Sequence, residues 1–374
     1  MQLSEEQHKA LEDVKQWFQH RRSQVYRLFG YAGTGKTTIA RYFAEILGEP
    51  VQFAAYTGKA AQVLRNKGAP DACTIHSLIY QLRGEEEIDS KRGTGKDKAL
   101  RFVLNRRSAL AQASLLVIDE CSMVDAQVGQ DLLSFKVPIL VLGDPGQLPP
   151  IGEGGFFTQQ EPDFQLQEIF RQAADNPILA LASAARLGKE LPYADYGAAK
   201  VIPRSEVTPE LVLEADQILV GTNRTRMRYN QRLRQLKGYE GQYPQSGDKL
   251  VCLRNDATKN LLNGSMWHVL SAGKETTHAY LPMLLTSEDS EMPTSLKVKV
   301  LKSYFDGNFS TASWSKQKAY DQFDYGYVLT VHKAQGSQWD NVVLFDESYA
   351  FAENGEKWLY TGITRAAKKL TIIR

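Results

Sequence analysis

The chain has 374 residues, 43% hydrophobic and 24% charged, and its 45 Lys and Arg nearly balance 43 Asp and Glu for a net charge of +2. That is the composition of an ordinary globular protein with room for two or more domains, and net charge alone points to no partner. No apolar run approaches the length of a membrane span, and the N-terminus lacks an apolar signal-like segment. Three scattered cysteines, Cys73, Cys121 and Cys252, share no metal spacing and cannot staple a fold this large, which fits a reducing cytoplasm. Cys121 and Cys252 lie in apolar runs and read as packing residues.

In chain order, the apolar stretch 25–29 predicts a strand, and residues 39–47 predict an amphipathic helix. Between them, Gly30 to Thr37 spell a complete phosphate-binding loop, Gly-x-x-x-x-Gly-Lys-Thr. Gly33, Thr34, Gly35, Lys36, Thr37 and Thr38 supply backbone N–H groups around phosphates at a helix N-terminus. Lys36 reaches the β- and γ-phosphates, and Thr37 holds Mg²⁺. A Gly-rich turn that merely capped a helix would need no Lys-Thr pair. Further strand-like runs at 51–55, 114–118 and 137–142 alternate with helical patterns, as in a parallel α/β sheet. Residues 81–108 interrupt this rhythm with Glu85-Glu86-Glu87 and a Gly-Thr-Gly turn at 93–95. The run 115–118 ends in Asp119-Glu120, suited to a metal-facing carboxylate and a water-activating one. The next strand ends in Gly143-Asp144-Pro145-Gly146-Gln147, a β-turn whose neutral Gln147 amide can both accept from water and donate to phosphate oxygen.

The second half carries a similar strand set at 217–221, 327–331, 341–345 and 369–373. Residues 222–237 hold six Arg or Lys and no carboxylate, a run that reads first as one solvated helix face. Short alternating runs within 238–324 predict a small antiparallel β unit. No internal repeat or low-complexity tract is present.

Taken together, Gln7, the loop 30–37, Asp119-Glu120, Gly143–Leu148 and Tyr360-Thr-Gly-Ile-Thr364-Arg365 resemble the ordered motifs of superfamily 1 helicases. Leu166–Gln172, Thr74-Ile75-His76-Ser77 and Thr330–Gly336 resemble the RecD/Dda branch rather than the UvrD/Rep branch. The resemblance implies two RecA-like P-loop motor domains with parallel sheets, residues 1–80 with 109–155 and residues 156–237 with 325–374. It also implies a hairpin insertion at 81–108 and an SH3-like β-barrel insertion at 238–324. ATP and Mg²⁺ are the implied cofactors. Gln7 reads the adenine edge, Phe170 stacks on its face, Gly336 joins the nucleotide set, and Arg171 and Arg365 reach the γ-phosphate, with Gln147 as coupling sensor.

The implied activity is ATP-driven 5′→3′ translocation on single-stranded DNA with strand separation at single-strand/duplex junctions. The partner is DNA, not membrane, and a compact monomeric motor is expected, open to replication or recombination proteins. Its DNA contacts fall on Thr57, Lys59, Thr74, His76, Thr330, His332 and Lys333, whose hydroxyl, imidazole and ammonium groups suit phosphate oxygens. Phe102 is a candidate wedge, with burial in the hairpin as the competing reading. Tyr56, where relatives often carry Pro, Trp267 and Trp339 are candidate base-stacking groups, and each also reads as a packing residue. A DNA-stimulated ATPase without unwinding, a nucleotide-gated binding module and a P-loop kinase stay open as alternatives.

Overall fold

The computed structural model describes residues 3–86, 98–149, 155–168, 175–254, 256, 259, 261, 263–273, 279–288, 295–306 and 319–374, with backbone alone at 82–86 and 98–102. Phe170 and Arg171 lie outside the described residues, as does the side chain of Phe102.

Six parallel strands form the first sheet in the order Cys73–Thr74, Val51–Ala55, Leu115–Asp119, Ile139–Gly143, Val25–Gly30 and Phe164–Leu166. All five residues of Ile139–Gly143 are buried, as expected where helices cover both faces. Alternate residues feed two cores: Phe29, Ile118 and Val141 face one side, and Leu28, Val117 and Leu142 the other. Phe164–Leu166 pairs with Val25–Gly30, so this sheet extends beyond the boundary expected at 155.

The second sheet runs Val328–Thr330, Gln217–Val220, Trp339–Phe345, Ala366–Ile373, Ala199–Ile202 and Ala194–Asp195, parallel throughout except at the last edge. Between Gln217–Val220 and its neighbour Val328–Thr330 the chain makes a five-stranded antiparallel sheet. Its order is Ser295–Leu301, Tyr280–Ser287, Met266–Ala272, Lys249–Cys252 and Phe323–Tyr325. A bridge between Val300 and Asp321 brings its two ends together. This unit shares a core with the second sheet, where Leu250, Trp267 and Phe323 pack with Ile218, Val343 and Phe345. Trp267 is buried there, and Trp339 is buried in the core on the other face of the second sheet, which removes both as base-stacking platforms.

The basic run forms the helix Asn223–Leu236, capped by Thr222. It is not one solvated face. Arg224, Arg228 and Arg232 are exposed, but Arg226 is buried against Asp324, and Arg234 Nε donates to Asp248 Oδ1 at 2.9 Å. Those two pairs pin the helix to the antiparallel unit. Tyr80–Glu86 and Lys98–Leu104 pair as a separate antiparallel ribbon, inserted in the chain between Cys73–Thr74 and Leu115–Asp119 of the first sheet. Among the described residues, no helix is long and apolar enough to cross a membrane.

Candidate active site

A cleft of about 540 Å³ is lined by residues of both parallel sheets. The first contributes its phosphate loop. Gly33 and Gly35 have φ of 82° and 89°, the left-handed region that glycine adopts without strain. A side chain at Gly35 would also strike Gln7, whose Nε2 would lie 2.5 Å from the added carbon. Gln7 belongs to a capping box with Ser4 at the start of helix Glu5–His20. Its Oε1 accepts from Ser4 N–H at 3.1 Å, and its Nε2 donates to Thr34 O at 2.9 Å. In this arrangement Gln7 braces the loop, and its amide makes protein contacts at both ends. Thr34 is fully buried, with its hydroxyl donating to Tyr31 O at 2.9 Å, so it shapes the loop and does not line the cleft. Gly33, Gly35, Lys36, Thr37 and Thr38 do line it.

Lys36 Nζ donates to Gly30 O at 2.6 Å and Tyr31 O at 3.0 Å. Thr37 Oγ1 donates to Asp119 Oδ2 at 3.1 Å. Two hard oxygen donors at the mouth of a phosphate loop fit a magnesium ion in character and position. Glu120 follows Asp119 at φ 52°, a strained conformation for a residue with a side chain, and its backbone N–H is held by Asp119 Oδ1 at 2.9 Å. Burial raises the Glu120 pKa, with Asp119 and Asp144 adding to the effect and Arg365 and Lys36 opposing it. A raised carboxylate is the stronger proton acceptor.

Arg365 reaches this carboxylate from the second sheet. It closes the helix Gly355–Ile363 and the turn after it, is buried, and lies 3.8 Å from Glu120 Oε1. Its Nε donates to Thr361 O at 3.0 Å, Nη1 to Ser337 O at 3.1 Å and Nη2 to Thr364 Oγ1 at 3.0 Å. Gln147 lines the same cleft; its Oε1 is buried without a hydrogen-bond partner, an atom that a water or phosphate-bound group would satisfy. Gly336 completes the wall at φ 72°, and a side chain there would lie 3.2 Å from Thr57 Oγ1. Asn176 also lines the cleft while capping helix Pro177–Arg186. Its Asn-Pro helix start is legible in sequence, yet nothing local ties it to this site.

The two sheets also touch directly. Leu148 N–H donates to Thr361 Oγ1 at 2.8 Å, Gln335 Nε2 donates to Leu148 O at 2.9 Å, and the Arg186 guanidinium lies 3.7 Å over the Tyr31 ring.

The candidate nucleic-acid contacts sit at strand ends. Thr57 caps helix Gly58–Asn66, which carries Lys59, and Thr74 caps helix Ile75–Ile79, which carries His76. Their strands are neighbours, with Ala55 opposite Thr74. Burial lowers the pKa of both His76 and His332, so these imidazoles are neutral near pH 7. His76 packs between Tyr56 and Tyr80, at ring distances of 5.6 Å to each. Tyr56 is thereby engaged in an edge-on aromatic contact. Thr330 ends its strand, and its Oγ1 accepts from Lys333 N–H at 3.3 Å. Burial pushes the Lys333 ammonium down to about 8, and Arg226 adds to the shift.

Residues 2–202 match the family described as an AAA domain, more than half of the chain. The chain belongs to that family. Residues 325–373, which include Arg365, match the UvrD-like helicase C-terminal domain. The chain is 28% identical to the ATP-dependent RecD2 DNA helicase of Deinococcus radiodurans over 398 aligned positions, covering 97% of this chain and 48% of that protein. It thus spans about half the length of that curated relative. Two solved structures match over the whole chain and 92% of theirs: Pif1 helicases at forked double-stranded DNA, with TM-score 0.57 and 18% identity, and Bacteroides Pif1 bound to single-stranded DNA, with TM-score 0.53 and 17% identity. The chain thus shares the fold of the Pif1 structures and resembles a RecD2 helicase in sequence along nearly its whole length.

Proposed function

We propose that this AAA-domain protein is an ATP-dependent DNA helicase that moves 5′→3′ on single-stranded DNA and separates duplex. The observation that carries the reading is the approach of Arg365 to Glu120 across the cleft, 3.8 Å between side chains that belong to different sheets. Hydrolysis that needs both groups is tied to how the two sheets sit against each other, which is the requirement for a motor.

In this reading the sheets belong to two RecA-like motor domains, with the first extended to include Phe164–Leu166. The ribbon is a strand-separating pin, and the five-stranded insertion is an SH3-like barrel. Lys36 and the loop amides bind the phosphates, and Glu120 orients and deprotonates the attacking water. Arg365 stabilises charge on the departing phosphoryl group. Thr37 and Asp119 would hold a magnesium ion, which supplies charge neutralisation at the phosphates. Thr57, Lys59, Thr74, His76, Thr330, His332 and Lys333 would line the strand's path. The two histidines then act as neutral hydrogen-bonding groups and Lys333 as a cation. The names of the relatives, RecD2 DNA helicase and Pif1 helicase, support the choice of DNA.

The test is ATP hydrolysis with and without single-stranded DNA, together with unwinding of 5′- and 3′-tailed duplexes. Stimulated hydrolysis with opening of the 5′-tailed duplex is expected. Stimulation without opening of either duplex would leave a translocating ATPase.

A further inference from the structure

Tyr360 lies on the helix Gly355–Ile363 and is almost wholly buried. Its hydroxyl accepts from Ala32 N–H, inside the phosphate loop, at 2.7 Å and donates to Asp144 Oδ2 at 2.7 Å. A phenol on a helix packed beside the second sheet thus ties together two loops that follow strands of the first. Asp144 Oδ2 also accepts from Gln147 Nε2, but at 3.4 Å, the weak end of the hydrogen-bond range. The other carboxylate oxygen is taken by Gly146 N–H at 2.9 Å. Gln147 Oε1, meanwhile, is buried and unpartnered at the cleft.

We propose that Tyr360 is a positioning residue that frees Gln147 for the phosphates by outcompeting its amide for Asp144 Oδ2. With the sheets together, the phenol holds that oxygen and the Gln147 amide is only loosely tethered. When the sheets part, the phenol leaves, and a partly buried carboxylate oxygen that has lost its donor takes the nearest one available. That donor is Gln147 Nε2, and its capture by Asp144 takes it from the phosphates. Withdrawal of the phenol also strips Ala32 N–H of its acceptor, so the phosphate loop registers the same movement. The nearby Thr361–Leu148 and Gln335–Leu148 bonds hold the turn in place without touching Asp144.

The inference rests on the cleft being an ATPase site, and a double-mutant cycle tests it. ATP hydrolysis at saturating single-stranded DNA is measured for the parent protein, Tyr360→Phe, Gln147→Ala and the double variant. Phenylalanine keeps the ring packing and removes only the hydroxyl. Tyr360→Phe is expected to lower kcat about tenfold with KM for ATP changed less than about twofold. In the Gln147→Ala background it is expected to have little further effect, because the residue through which it acts is gone. Losses that multiply, or a Tyr360→Phe kcat equal to that of the parent, would overturn the assignment while leaving the ATPase reading intact. A parent protein that does not hydrolyse ATP would overturn both.

Discussion

At the scale of single residues, the cleft separates binding from chemistry. Lys36→Ala removes the ammonium proposed to hold the phosphates and is expected to abolish hydrolysis. Glu120→Gln keeps the shape and the Arg365 neighbour but removes the proton acceptor. Retained ATP binding with strongly slowed turnover is expected, read by nucleotide fluorescence and single-turnover kinetics. Arg365→Ala should lower kcat about a thousandfold while affinity for single-stranded DNA stays nearly constant; an unaltered turnover would remove Arg365 from the chemistry. Lys333 gives a pH signature. Its ammonium titrates near 8 in the folded chain, below the ordinary lysine value, because burial penalises the charge. The unfolded chain therefore binds more protons between about pH 8 and 10, and Lys333 makes stability rise with pH through that window. Phosphate binding favours the protonated form instead, so affinity for single-stranded DNA should fall as pH rises from 7 to 9. Fluorescence anisotropy should show that slope flattened in Lys333→Gln; an identical slope in the variant would place Lys333 off the DNA.

Among the elements, the helix Asn223–Leu236 shows how a charged run divides its labour. Asp248 is fully buried and accepts from Arg234 Nε, Arg234 Nη2, Gln245 N–H and the Tyr327 hydroxyl. Arg234→Ala leaves that carboxylate without its cation and should cost about 3–5 kcal/mol in urea unfolding, whereas Arg232→Ala on the exposed face should cost under about 0.5 kcal/mol. The ribbon Tyr80–Glu86 with Lys98–Leu104 predicts a separation of functions. Replacing 84–107 by a short Gly/Ser turn should preserve DNA-stimulated hydrolysis and suppress duplex opening; loss of both activities would make the ribbon part of the motor.

Much of this architecture was legible in order of appearance. The runs 25–29, 51–55, 114–118 and 137–142 all became strands of one sheet, because parallel strands covered on both faces write themselves as largely apolar stretches. Phe164–Leu166 and Ala199–Ile202 were not singled out, being short and without that signal. The phosphate loop and Asp119-Glu120 were readable because each is a contiguous run, and Arg365 was singled out only through the resemblance of residues 360–365 to a helicase motif. The Tyr360–Asp144 bond and the Arg234–Asp248 pair were not, since long-range side-chain pairing leaves no periodic trace. Gln7 was readable as a motif residue, but its capping-box geometry and its grip on Thr34 emerged only in three dimensions.

For the whole molecule, a path along phosphates predicts steep salt dependence. Affinity for single-stranded DNA should fall linearly on logarithmic axes as salt rises, and a flat response would point to stacking on bases instead. Preferential opening of duplexes bearing only a 3′ tail would reverse the proposed polarity. The order of the second sheet has a consequence for how the molecule is made. Its two central strands, Trp339–Phe345 and Ala366–Ile373, come last in the chain, while their flanking partners Gln217–Val220 and Ala199–Ile202 come much earlier. A growing polypeptide therefore completes the first sheet once Leu166 has emerged, yet carries the second as two separated halves with open inner edges. On the ribosome the half that carries the phosphate loop is finished long before Arg365 is in place, and throughout that interval the unpaired edges of the second sheet stay open to the wrong partners.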